Sequence, residues 1–98
     1  MSLQRKVIAA AQAVGQSAGV AMNETPFMAR HAGVAVLKSS GDRVVKLQES
    51  SDGVTYTDVS GVTLSSGTDR FSLASLADFY RIDVSGGTAG TGDCEIEA

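Results

Sequence analysis

The chain has 98 residues, which fits one domain, and a chain of this size buries a real but modest core. Cys94 is its only cysteine and His31 its only histidine, so an intrachain disulfide is excluded and neither a metal cluster nor any other cofactor is expected. The formal net charge is −3 and the eight Lys and Arg are scattered, with Arg5-Lys6 the longest run, which argues against nucleic acid as a partner.

Two positive charges in Met1 to Lys6 precede the apolar run Val7 to Ala11, a loose imitation of a signal peptide. The run is short and broken by Gln12, so secretion is not expected. Nor does any segment approach the ~20 apolar residues of a membrane-spanning helix, and no membrane is expected as a partner. Leu3, Val7, Ala11 and Val14 fit helical spacing, and alanine favours helix. Val7-Ile8 and the following Gly15, Ser17 and Gly19 fit an extended segment and a strand around 18–22. In an otherwise all-β chain the extended reading is preferred, with residues 1–16 as an arm or as the first strand. Asn23-Glu24-Thr25-Pro26 then reads as a turn, Pro26 lacking a ladder donor.

From Gly33 onward, short β-type runs alternate with turn signals about every ten residues, the mark of an all-β sandwich or barrel. Val34 to Lys38 is the first run, closed by Ser39-Ser40-Gly41-Asp42. Arg43 to Glu49 follows, with Val45 and Leu47 on one face and Lys46 and Gln48 on the other. Ser50-Ser51-Asp52-Gly53 suits a turn, because Asp bonds its own backbone and Gly takes positive φ without strain. Val54 to Val59 is expected to return, with Val54 and Tyr56 on one face. Val62-Thr63-Leu64, a turn at Ser65-Ser66-Gly67, and a strand over 71–76 come next. Phe79 to Val84 has the clearest alternation: Tyr80, Ile82 and Val84 against Phe79, Arg81 and Asp83. Residues 85–92 read as a flexible glycine-rich loop. Cys94, Ile96 and Ala98 alternate with Glu95 and Glu97 in a final strand.

Chemistry is sparse in this pattern. Only His31 could serve a serine nucleophile as base, and a surface or interface histidine is the plainer reading. Cys94 has no basic neighbour to lower its pKa and reads as a buried small hydrophobe. Asp52, Asp58, Asp69, Asp83 and Asp93 lie near turns, where Asp is expected for backbone reasons, and none has the spacing of a dedicated calcium loop. The glycines of 86–92 lack the Lys-Ser/Thr and the helix of a phosphate loop. Tyr56 and Tyr80 are expected in the core and Phe79 as an exposed anchor. No catalytic residue is assigned, and the chain is expected not to be an enzyme.

Read together, VKLQESSDGVTYTDV (Val45 to Val59) and FYRIDVSGGTAGTG (Phe79 to Gly92) resemble a pattern in small virion proteins of tailed bacteriophages. There, a strand ending in Gln-x-Ser-x-Asp-Gly leads to an aromatic-bearing return strand. An aromatic-Arg-apolar-x-Val strand with a glycine-rich exit follows. The resemblance covers roughly the second half of the chain. It implies a capsid cement or decoration protein, a single-domain antiparallel β-sandwich of jelly-roll-like form spanning 1–98. The implied partners are the major capsid protein and further copies of the chain, as homodimer or homotrimer. The implied location is the capsid surface, after assembly in the host cytoplasm. Candidate interface residues are Val7, Ile8, Ala11, Val14, Phe27 and Phe79. The alternatives are a β-sandwich carbohydrate- or cell-surface-binding module, against which the absence of Trp weighs, or a tail-associated structural protein.

Overall fold

The computed structural model describes residues 5–22 and 32–98. Among them run nine strands: β1 (Arg5–Gln12), β2 (Gly15–Gln16), β3 (Val20–Ala21), β4 (Gly33–Ser39), β5 (Val44–Ser50), β6 (Thr57–Leu64), β7 (Gly67–Leu73), β8 (Phe79–Ser85) and β9 (Gly92–Glu97). One sheet has the order β1-β9-β4-β7. The other runs β8-β5-β6, with β2 and β3 paired end to end along the free side of β8. Every pairing is antiparallel. With β2 and β3 taken as one interrupted strand, this is the eight-strand order of a jelly roll.

Alternation explains which side of each strand faces inward. Leu37 of β4 and Cys94 and Ile96 of β9 meet Val45 and Leu47 of β5 and Tyr80, Ile82 and Val84 of β8, all fully buried. Burying each aliphatic side chain contributes roughly 1.5–3 kcal/mol. The two layers come so close at the start of β9 that a Cβ on Gly92 would lie 2.6 Å from Val45 and 2.8 Å from Val84. Tyr80 keeps its hydroxyl satisfied by accepting the Ala77 N–H at 3.0 Å. The gap between β2 and β3 is closed by Ser17: its N–H donates to the Ile82 carbonyl, and its Oγ accepts the Ile82 N–H, both at 2.9 Å.

Residues 5–12 form the first strand, as the extended reading expects, and β9, which they flank, is a central strand of its sheet. Other expectations change. The return strand of the hairpin starts at Thr57, not Val54, because Asp52 and Ser50 hold 51–55 in a wide loop and leave Val54 80% exposed. It then continues past Gly61 to Leu64 with a bulge. Strand β7 covers Gly67–Leu73 rather than 71–76, since pairing with β4 runs from Gly67 to Leu73. The turn at 23–26 lies outside the described residues, as do Phe27 and His31.

Candidate functional site

Four outward regions were built from these strands. At one end, the β4–β5 and β8–β9 connections cross between the sheets side by side. Asp42 accepts the N–H groups of Thr88 and Ala89 at 2.9–3.0 Å, while Arg43 donates to the carbonyls of Gly86 at 2.7 Å and Gly90 at 3.1 Å. Those backbone bonds hold the Asp42 carboxyl below its usual pKa. The expected flexibility of the glycine-rich loop is therefore corrected: its ends and middle are pinned. The two amides that could have met a phosphate already face a carboxylate.

At the opposite end, the hairpin loop is organised by two side chains. Asp52 Oδ1 accepts from the Val54 and Thr55 N–H groups at 2.8 and 2.9 Å and from the Ser50 hydroxyl at 2.8 Å, and the same hydroxyl oxygen accepts the Gly53 N–H at 2.9 Å. The Thr55 and Val54 amides, with Ser50, lower the Asp52 carboxyl to about 2. Beside this loop is an open depression of about 410 Å³ lined by Glu49, Ser50, Thr55, Thr57, Ala77 and Asp78, among others. Asp52 also borders it, but its Oδ1 is already occupied as a loop organiser. No group of three or more metal-ligating side chains occurs among the described residues.

The outer face of the β8-β5-β6 sheet carries a polar chain. Arg81 Nε donates to Gln48 Oε1 at 2.7 Å, Gln48 Nε2 donates to Asp58 at 2.9 Å, and Lys46 lies 4.0 Å from Asp58. The Arg81 guanidinium sits 4.1 Å over the Tyr56 ring, a cation–π contact. Tyr56 thus packs on the outside of the sheet and not in the core. Its hydroxyl is buried with no hydrogen-bond partner, in the space that a side chain on Gly19 would need. Phe79 is half-buried beside Gly53 rather than an exposed anchor.

The outer face of the β1-β9-β4-β7 sheet is different. Register places Arg5 opposite Glu97, Val7 opposite Glu95, Val34 opposite Glu97 and Val36 between Glu95 and Arg70. Glu97 is ion-paired from both sides, to Arg70 at 2.5 Å and Arg5 at 3.1 Å, and Arg5 also lies 3.9 Å from Glu95. Covered by these two arginines, Glu97 is only 5% exposed, and the Arg70 hydrogen bond lowers its pKa most. Val34 and Val36 are half-buried and Val7 is 57% exposed. The result is an outer face on which Val7 of β1 and Val34 and Val36 of β4 flank the β9 carboxylates, with Arg5 and Arg70 reaching in from either side. Chain alternation marked Glu95 and Glu97 as outward, but nothing in sequence paired Glu97 with residues 27 and 92 positions away.

Of the candidate interface residues, Val7, Ala11 and Val14 are exposed, and Phe27 is outside the described residues. Ile8 is corrected: with Arg5 and Val7 on the outer face, alternation along β1 turns Ile8 into the core, where it is 4% exposed. Cys94 is fully buried, and desolvation pushes its thiol up to about 12, which suits a packing role. Compared with protein-family models, with curated proteins and with solved structures, the chain finds no match.

Proposed function

We propose that this protein is a structural virion component that cements or decorates a bacteriophage capsid by binding across major capsid protein subunits. The observation that carries the reading is the outer face of the β1-β9-β4-β7 sheet. Its valines, Val7, Val34 and Val36, offer apolar area, and the Arg5–Glu97–Arg70 cluster offers charges already held in place. Arginine beside apolar side chains suits a protein–protein interface, where ordering long side chains otherwise opposes binding. Each ~1,000 Å² of apolar area removed from water contributes of order 25 kcal/mol gross, before ordering losses. A shell repeats such a contact many times, so individually weak contacts hold collectively. The jelly roll is also an architecture of viral capsid domains, shared with lectins and cupins.

The test is density-gradient sedimentation of the protein from its native source. Cosedimentation with large, DNA-containing particles that survives a salt wash is the expected result. The paired substitution Val7→Glu and Val36→Glu should then release a folded protein from the particles. Deletion of residues 1–14 is a poorer test, because it removes Ile8 from the core. If the protein stays at the top of the gradient, the capsid reading fails. A glycan-binding module then becomes the reading to pursue, with the hydroxyl- and carboxylate-lined depression at Glu49–Thr57 as its site.

A further inference from the structure

We infer that β1 is exchangeable between copies: residues 5–10 leave their own β9 and take the same place on β9 of a second copy, as the corner 11–15 straightens. β1 belongs to one sheet and β2 to the other, yet only Ala13 and Val14 separate them. The chain makes this crossing with Ala11 at φ 51° and Gly15 at φ 120°. Gly15 tolerates its conformation, but Ala11 is the one non-glycine residue in the left-handed region among the described residues, where its Cβ crowds the backbone.

The grip on β1 is of a kind that a second copy reproduces without change. Arg5 pairs with Glu95 and Glu97, and Ile8 enters the core beneath β9. Two bulges interrupt the ladder to β9, between Val7 and Ala9 and between Ala9 and Gln12. In the exchanged pair these contacts recur on the partner, while the Ala11 conformation is no longer required. Short strained corners favour such exchange for this reason. Val14, 57% exposed in the closed chain, gains a neighbour where the two straightened corners run side by side. Association loses freedom, so closed chains dominate in dilute solution and exchanged dimers grow with concentration. This inference concerns free copies in solution and does not rest on the capsid reading.

The experiment uses Val7→Cys with Glu95→Cys in a Cys94→Ala background. Residues 7 and 95 are directly paired, at a separation that a disulfide bridges in either form. The protein is held at concentrations up to roughly 1 mM, oxidised and separated under denaturing, non-reducing conditions. Covalent dimer should rise with the concentration before oxidation, and should fall by about threefold or more when Ala11→Gly relieves the corner. Exclusively intrachain crosslinks at every concentration overturn the inference, as does a dimer yield that Ala11→Gly leaves unchanged. The unmodified chain gives a second measurement, by native mass spectrometry of mixed heavy- and light-isotope copies. Mixed dimers that form slowly in concentrated samples and revert only slowly on dilution support exchange. No dimers, or dimers that mix at once, overturn it.

Discussion

Thr88 donates its backbone N–H to both carboxylate oxygens of Asp42, each at 2.9 Å, across 46 positions of sequence. That contact ties the two connections that carry β4 into β5 and β8 into β9, so a loop with three glycines, Gly86, Gly87 and Gly90, is held at its middle by one side chain. Replacing Asp42 with Ala should leave the sandwich folded and speed amide exchange at Thr88 and Ala89, which lose their acceptor. Hydrogen exchange read residue by residue checks this. Unchanged protection at both amides would show that the carboxylate is not what holds them.

Acid should unfold the protein more readily than its modest charge suggests. Asp42, Asp52 and Glu97 all have folded-state pKa values below their ordinary ones, Asp52 at about 2. A depressed carboxyl stabilises the fold above its unfolded pKa and loses that contribution as pH falls through its folded pKa. Stability should therefore be level near neutrality and decline from about pH 4 down to about 2. Denaturant midpoints taken between pH 7 and 2 test it, and Asp52→Asn should flatten the curve.

Core and surface valence should separate cleanly. Ile82→Ala removes a fully buried side chain of a central strand and should lower stability by about 2–5 kcal/mol. Val54→Ala, in the open hairpin loop, should stay within about 0.5 kcal/mol of the parent. Chemical denaturation of both variants decides it; a costly Val54→Ala would mean that this side chain is covered by something.

Thiol chemistry offers a further check. With its pKa pushed to about 12 and no exposed surface, Cys94 should resist alkylation at pH 8 in the folded protein and react promptly in denaturant. Fast native labelling, followed by mass spectrometry, would contradict the burial of β9 between β1 and β4.

Close packing at the start of β9 gives the last prediction. Gly92→Ala places a methyl against Val45 and Val84 and should cost about 1–3 kcal/mol by overpacking. Thermal melts suffice, and an unaffected melting temperature would mean that the two layers separate freely at that point.

Much of this fold was legible along the chain. The alternation of Val45 with Leu47, of Tyr80 with Ile82 and Val84, and of Cys94 with Ile96 named the faces of β5, β8 and β9 that meet in the core, because side chains of a strand point to opposite sides with a period of two. Ser50-Ser51-Asp52-Gly53 announced its turn through short side chains that bond their own backbone. A period of two fixes a residue's side of the sheet, but says nothing about which strand lies next to it. For that reason Tyr56 was expected inside, whereas it stands just before β6 and its ring packs under Arg81 of β8, across β5, on the outer face. Val7 and Ile8 point to opposite sides by alternation, but that Ile8 is the one facing the core was decided by how β1 registers on β9. The pairs that define the outward surfaces, Glu97 with Arg5 and Arg70 and Asp42 with Thr88, join residues far apart in sequence. The local sequence determined strand and turn chemistry, and tertiary packing alone decided neighbours, because long-range pairing depends on how the two layers close over a shared core.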